Sequence, residues 1–241
     1  MRIACSRPIL QTDRLMQTQQ SAFTLIEVLV SMAILAGITT LLWGSFSLSA
    51  NAKQKVEEIE ERYHQIRLAM NRMAREISMA YLSKNDLPGT TNPRTMFVGL
   101  RNSKVDDLMF SALAHVVLHE NAKECDQSLV RYYSAPDPES RGRTNLFRRE
   151  SRRLGGERPG EDGPAYVMLE NIVALRFEFF DEAMKEWKET WNTKSADGQP
   201  DRLPTKVRIS LTVRDEKDRE ITFITATRIH MRDPLWFSTG Q

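Results

Sequence analysis

The hydrophobic residues of this chain form three successive patterns, and each pattern predicts a different kind of element. The first is an apolar run over residues 23–48, in which Glu27 is the one charged residue. A helix needs about 20 apolar residues to cross a bilayer core, so this run predicts one membrane-spanning helix. Its small residues would let another helix approach closely. They are Ser31, Ala33, Ala36, Gly37, Gly44 and Ser45.

The second pattern is an apolar stripe with alternating spacings of three and four residues, which predicts that the helix continues in amphipathic form. The stripe consists of Val56, Ile59, Tyr63, Ile66, Met70, Met73, Ile77 and Ala80. It could pack on a sheet of its own chain or form a coiled coil with a partner. We favour the sheet, because about four heptads only just reach the length expected of a coiled coil. The turn residues 85–89 are predicted to end the helix.

The third pattern consists of short apolar or alternating runs, which predict β-strands. They cover residues 96–100, 107–113, 128–133, 144–150, 172–181, 207–213 and 221–225. Residues 152–164 are predicted to form an exposed loop, and residues 215–218 to form a hairpin turn. The connection that contains Trp187 and Trp191 is long for a compact domain, which is typical of a functional or binding loop. One long helix followed by antiparallel strands predicts an α+β domain with the helix packed on the sheet.

Composition and charge narrow the function classes. The 241 residues are 41% hydrophobic and 27% charged, and the formal net charge is +2. Arg2, Arg7 and Arg14, set against Asp13, account for all of that charge. The neutral remainder has no general attraction for nucleic acid, and we expect no nucleic-acid partner. The arginines precede the apolar run, which predicts a cytoplasmic N-terminus and a domain on the other side of the membrane.

Processing is predicted in front of the apolar run, because the run is longer than the core of a secretory signal peptide. The candidate site is Ser21-Ala22-Phe23. A carboxylate deep in a spanning helix costs about 2.5–3.5 kcal/mol, so Glu27 needs a partner unless it stays hydrated at the membrane surface. Cleavage between Ala22 and Phe23 would create an α-ammonium about one helical turn away. The ammonium of a neighbouring subunit could then pair with Glu27.

Candidate catalytic and metal-binding residues are few. His115 and His119 have the i, i+4 spacing of a helical metal pair, with Glu120 adjacent. They lie among strand-like residues, however, and would then be about 13 Å apart. We find no nucleophile triad, phosphate loop or paired carboxylates, and we expect no catalytic residue, cofactor or metal. A membrane-tethered enzyme or ligand-binding protein is the alternative from a different class.

Two further groups have both a structural and a functional interpretation. The arginines between residues 148 and 153 could bind phosphate, but Glu150 and Glu157 among them favour a solvated strand edge and loop. Cys5 and Cys125 are the two cysteines. Loss of a leader would leave Cys125 unpaired, and we expect it to pack as a small apolar residue.

Residues 22–36, Ala-Phe-Thr-Leu-Ile-Glu-Val-Leu-Val-Ser-Met-Ala-Ile-Leu-Ala, resemble the N-terminal signature of type IV pilins and type II secretion pseudopilins. The resemblance implies cleavage by prepilin peptidase between Ala22 and Phe23, N-methylation of Phe23, and a role for Glu27 in subunit registration. Ala22 stands where the family usually has Gly, and residues 19–21 lack the usual basic residue. Translation from Met16 would also remove the leader arginines.

Residues 67–80 and 175–181 resemble the minor pseudopilin J of type II secretion, as do Trp187, Trp191, Leu203-Pro204 and residues 207–211. The resemblance implies a type IV pilin-like fold. It divides the chain into a cytoplasmic leader (1–22), a transmembrane assembly helix (23–48), a periplasmic continuation of that helix (49–84) and a periplasmic β-rich domain (85–241).

The same resemblance implies an inner-membrane protein at the tip of the pseudopilus that helps to initiate its assembly. The implied partners are the I-, K- and H-type minor pseudopilins, the major pseudopilin, prepilin peptidase, the inner-membrane secretion platform and the lipid bilayer. A minor pilin of a type IV pilus or of a DNA-uptake pseudopilus would share the N-terminal signature and a similar stalk, and it is the nearest alternative.

Overall fold

The structure, a computed structural model, describes residues 23–85, 94–115, 125–137, 140–155 and 158–236. The chain divides into two units, Met1–Glu58 and Ile59–Gln241. Helix α1, Leu25–Ser78, contributes residues to both. The leader residues 1–22, with Ala22, lie outside the described residues, as do residues 86–89 of the turn that was predicted to end the helix.

In the first unit, residues 28–48 of α1 carry no charged side chain. The helix is long and apolar enough to cross a membrane by length and composition, and none of its most apolar stretch is buried. The hydroxyls of Ser31, Thr39 and Thr40 donate to backbone carbonyls one turn earlier, at 2.7–3.0 Å. These polar side chains are therefore satisfied within the helix, as a membrane interior requires.

In the second unit, the predicted stripe becomes the buried face of α1. Ile66, Met70, Met73 and Ile77 are buried, whereas Val56, the member of the stripe that lies in the first unit, is exposed. The helix ends at Ser78, six residues before the predicted boundary at 84. The following backbone pairs with the sheet instead: Tyr81 N donates to Ser111 O at 3.0 Å. Strand-like pairing therefore replaces helical bonding at that point.

Ten strands follow within the described residues. They are β1 (Phe97–Leu100), β2 (Asp107–Ala112), β3 (Ser128–Pro136), β4 (Thr144–Ser151), β5 (Ala165–Leu169), β6 (Ile172–Asp181), β7 (Glu186–Lys188), β8 (Trp191–Asn192), β9 (Lys206–Arg214) and β10 (Glu220–Arg228). One sheet has the order β5-β4-β3-β2-β1-β8 and the other β10-β9-β6-β7, and all neighbours are antiparallel. The predicted α+β class is confirmed, with two sheets where one was expected.

One apolar core joins α1 to both sheets. Its aromatic members include Phe97, Phe179 and Trp191, with ring centroids 5.7 Å apart for Phe97–Phe179 and 6.4 Å apart for Phe179–Trp191. At Gly99 a Cβ would lie 2.3 Å from Cζ of Phe179. Glycine is therefore needed there for the Phe179 ring to cover β1.

The seven predicted strands are confirmed, and β5, β7 and β8 were missed. β7 and β8 contain three and two residues, too few for a periodic signal, and β5, with five, directly follows the predicted loop 152–164. The connection after β6 is not an open binding loop, because Trp191 is 1% exposed and Asp181 bonds Lys188 and Arg202 at 3.1 and 2.9 Å. The long connection instead places Trp191 in the apolar core.

Candidate assembly surface

The N-terminal turn of α1 contains the residues with predicted assembly roles. Phe23 precedes the helix and is 80% exposed. Glu27 is also exposed and lies in the first turn. The predicted cleavage site, the methylation of Phe23 and the registration role of Glu27 remain predictions.

Glu27 also has a local role, which sequence reasoning missed. Thr24 is the N-cap of α1: the backbone N–H of Glu27 donates to Thr24 Oγ1 at 3.4 Å and to Thr24 O at 3.1 Å. Thr-x-x-Glu is the spacing of a capping box, visible in the sequence, and the structure shows the bond to Thr24 Oγ1 from that box. A carboxylate here also interacts favourably with the positive end of the helix dipole. A test of assembly must therefore separate the charge of Glu27 from its contribution to helix capping.

The surface of α1 between Val28 and Leu48 is a predominantly apolar area without charged residues. Soluble monomers rarely expose apolar patches beyond a few hundred Å². Twelve large apolar side chains between residues 25 and 43 are each at least 42% exposed: Leu25, Ile26, Val28, Leu29, Val30, Met32, Ile34, Leu35, Ile38, Leu41, Leu42 and Trp43. A shallow open groove of about 380 Å³ lies between Phe23 and Leu35, lined also by Val28, Ser31 and Met32. This surface suits lipid and the helices of neighbouring subunits.

A buried charge cluster lies in the second unit, where α1 meets the six-stranded sheet. Glu76 of α1 is 3% exposed and Arg148 of β4 is 4% exposed. Arg148 Nε donates to both carboxylate oxygens of Glu76, at 2.9 and 3.1 Å. The hydroxyl of Tyr132 on β3 donates to the same carboxylate. Burial and the negative charge of Glu76 raise the pKa of Tyr132 well above its ordinary value.

The cluster extends on both sides of this pair, to the half-exposed Arg72 and to the mostly buried Glu150 and His115. Arg72 Nε donates to Glu76 at 2.9 Å, and Glu150 pairs with Arg148 at 2.9 Å and with His115 Nδ1 at 2.8 Å. Sequence reasoning placed Arg148 in a solvated basic run, and that prediction was wrong. Burial lowers the pKa of the Arg148 guanidinium. The hydrogen bond and the charge pairing with Glu76 raise this pKa by more than burial lowers it, so it lies above its ordinary value.

An open cavity beside this cluster is relevant to the ligand-binding alternative. Its volume is about 810 Å³, and its lining includes Arg72, His115, Arg152 and Arg153. Within the described ranges, no group of three His, Cys, Asp or Glu residues could hold a metal ion. His119 and Glu120 lie outside those ranges.

Cys125 was expected to pack as a small apolar residue, and that expectation was wrong. The residue is exposed, and its Sγ donates to Asp126 at 3.3 Å. It lies just before the start of β3, where the chain enters the sheet from the surface.

The pairing of Glu150 predicts an acid-sensitive domain. Burial raises the pKa of Glu150, but the bonds from His115 and Arg148 outweigh it, and the pKa lies below its ordinary value of 4.5. A lowered carboxyl pKa stabilises the fold above about pH 4.5, and this stability is lost as pH falls through the folded-state pKa. Between about pH 5 and about pH 3, we therefore expect the melting temperature of the parent to fall more steeply than that of Glu150→Gln. The exposed turn variant Glu216→Gln should follow the parent, and identical slopes for the parent and Glu150→Gln would contradict the prediction.

A long exposed apolar helix, capped at Thr24 and followed in the chain by antiparallel sheets, defines the class of pilin-like proteins. Residues 17–36 match the prokaryotic N-terminal methylation motif. Residues 44–225, more than half of the chain, match type II secretion system protein J. The chain belongs to the family of type II secretion system protein J, and the resemblance stated from the sequence is confirmed.

Two solved structures are similar to this chain at low identity. One is a chain of the GspK–GspI–GspJ complex from the enterotoxigenic Escherichia coli type 2 secretion system, with 16% identity and a TM-score of 0.45 over 69% of this chain and 97% of that chain. The other is a type IV-like pilin from Thermus thermophilus, with 13% identity and a TM-score of 0.43 over 69% of this chain and 96% of that chain. No curated protein matches the chain significantly in sequence.

Proposed function

We propose that this chain is the J-type minor pseudopilin of a type II protein secretion system. It forms part of the pseudopilus tip with other minor pseudopilins and helps to initiate pseudopilus assembly. The observation that carries the proposal is the match of residues 44–225 to protein J on a chain whose preceding segment matches the methylation motif. The exposed apolar surface of α1 supports it, because that surface requires lipid or partner helices to cover it.

In this proposal, prepilin peptidase removes the cytoplasmic leader (1–22) by cleaving between Ala22 and Phe23, and Phe23 is then N-methylated. Residues 23–48 cross the inner membrane, and the chain from residue 49 onward is periplasmic. Glu27 pairs with the α-ammonium of a neighbouring subunit. Partial burial of that pair would make an unpaired Glu27 costly, so the pairing sets the register between helices.

The proposed partners are other pseudopilins. The similar chain from Escherichia coli belongs to a complex of GspK, GspI and GspJ, which supports the K- and I-type minor pseudopilins. The H-type and major pseudopilins, prepilin peptidase and the inner-membrane platform complete the proposed set. We assign no catalytic residue, cofactor or metal to this role.

Co-expression of the full-length chain with prepilin peptidase and candidate I- and K-type pseudopilins tests the proposal. We expect the mature chain to begin at Phe23, to carry a methyl group on its α-amine and to co-purify with both partners in detergent. Intact-mass spectrometry measures the first two results. Ala22→Gly, which restores the usual family residue, should give the same product, whereas a bulky Ala22→Leu should block cleavage.

An unprocessed N-terminus in the presence of active peptidase would contradict the proposed processing. Co-purification with minor pilins of a type IV pilus, and not with the secretion pseudopilins, would instead support the alternative machine. The two outcomes are distinguishable because cleavage is read from the mass of the chain and the machine from the identity of the partners.

A further inference from the structure

Strand β10 is the longest sheet edge in the described part of the chain. It pairs with β9 along all nine residues, Glu220–Arg228, and with no other described strand. The other edge strands, β5, β8 and β7, contain five, two and three residues. A strand at the edge of a sheet presents a row of unpaired N–H and C=O groups along its free side.

The hairpin turn identifies which residues of β10 present those groups. Asp215 N donates to Arg219 O at 2.9 Å, and Asp218 adopts a positive φ of 58°, as in a three-residue loop with a bulge. Bonded and non-bonded pairs alternate from there along an antiparallel ladder. The residues whose N–H and C=O point away from β9 are therefore Glu220, Thr222, Ile224, Ala226 and Arg228. All five are exposed.

The sequence of this edge lacks the features that normally prevent strand pairing. Residues 221–227, Ile-Thr-Phe-Ile-Thr-Ala-Thr, contain no charge, proline or glycine. Natural proteins usually protect a long edge with a charge, a proline, a bulge or a covering element. Ile224, at the centre, is 66% exposed, and its neighbours on the outer face are the small residues Thr222 and Ala226. A further strand can pair along an exposed edge of this kind.

We propose that β10 is a docking strand, along which an extended segment of a neighbouring pseudopilin subunit pairs by backbone hydrogen bonds. The complementary segment is uncharged in its centre, with a basic residue opposite Glu220 and an acidic residue opposite Arg228. This inference rests on the proposed function, because an edge of nine residues buries less than the roughly 1,200 Å² of a stable interface. The partner must therefore already be held nearby, as packing of the N-terminal helices does for subunits of one filament.

A proline substitution tests whether backbone pairing is involved. Ile224→Pro removes one outward N–H and leaves the ladder with β9 intact, as proline allows at an edge position. Ile224→Ala removes the same side chain and keeps the N–H. In cells with a complete secretion system, we expect the full-length proline variant to lower secretion about tenfold and the alanine variant about twofold at most. Both variants should retain the parent's melting temperature in detergent to within a few degrees.

If the proline variant secretes like the alanine variant while both remain folded, backbone pairing at β10 is overturned. If the proline variant melts well below the parent, Thr222→Pro provides a second outward position with the same expectation. Failure of the docking strand is distinguishable from failure of the proposed function. In the first case, Glu27→Ala still reduces secretion about a hundredfold; in the second, removal of the whole chain leaves secretion unchanged.

Photo-crosslinking identifies the partner. A benzophenone amino acid at Thr222 of the full-length chain should give an adduct with another chain that carries a processed N-terminal methylation motif. The matched control is Tyr166, which is 62% exposed on the edge strand β5 of the other sheet and should give no such adduct. An adduct of twice the mass of this chain would show that β10 pairs with a second copy and would overturn the proposal. Capture of a chain without the motif, or equal adducts from both sites, would also overturn it.

Discussion

We expect Arg148→Ala to lower the free energy of unfolding by about 3–5 kcal/mol, the largest effect on stability of any single substitution considered. Removal of the guanidinium leaves the carboxylate of Glu76, 3% exposed, without its main partner in the core. Arg72 and Tyr132 would still bond that carboxylate, but Arg72 approaches it from the solvent side, where its side chain is 49% exposed. Urea denaturation of the full-length protein in detergent, followed by near-UV circular dichroism, measures the change.

The matched control is Arg214→Ala. Arg214 pairs with Asp218 at 3.3 Å, but both side chains are at least half exposed. Exposed pairs contribute about 0–1 kcal/mol, so this substitution should be nearly neutral. Replacement of Arg148 by Met together with Glu76 by Leu should recover part of the loss, because it removes both charges. If Arg148→Ala is as mild as Arg214→Ala, the cluster does not stabilise the contact between helix and sheet.

The second large effect is expected at Glu27, where Glu27→Ala should reduce secretion about a hundredfold while the second unit stays folded. The expectation follows from the proposed pairing, because the neighbour's ammonium would lose its counter-charge in a low-dielectric setting. Secretion of a reporter substrate and the amount of sheared pseudopilus measure assembly. The melting temperature in detergent reports the fold.

Thr24→Ala separates assembly from helix capping. This variant removes the Oγ1 that accepts the N–H of Glu27 at 3.4 Å but keeps the carboxylate. Loss of an N-cap costs about 1 kcal/mol of helix stability, so secretion should fall only modestly. Equal losses for Thr24→Ala and Glu27→Ala would assign Glu27 to capping, and parental secretion by Glu27→Ala would contradict the pairing.

The residues around Glu27 could be interpreted from the sequence, whereas the partner of Arg148 could not. The Thr24-x-x-Glu27 spacing, the apolar run and the stripe from Ile59 to Ile77 are local, because neighbours along a helix are three or four residues apart in sequence. The alternating residues of β9 and the hairpin into β10 are equally local. For this reason the helix, seven strands and the family resemblance were all available before any tertiary contact was known.

The cluster of Glu76 and Arg148 was not available, because its two partners are 72 residues apart in sequence. Arg148 stands beside Arg149 and near Arg152 and Arg153, and composition alone gives all four the same solvated interpretation. Only the register of β4 in the sheet turns Arg148 inward toward α1. The short strand β8 depends in the same way on the position of β1, since two residues cannot specify a strand by themselves.

The sequence by itself determined the class of this protein: an apolar helix with an N-terminal processing motif, continued by an amphipathic stalk and antiparallel strands. Tertiary structure alone decided the end of α1 at Ser78, the burial of Trp191 and Arg148, and the free edge at β10. The physical reason is the separation in sequence between the residues that interact. Periodicity records which face of an element is apolar, whereas pairing partners, strand order and unpaired edges depend on distances between residues far apart in the chain.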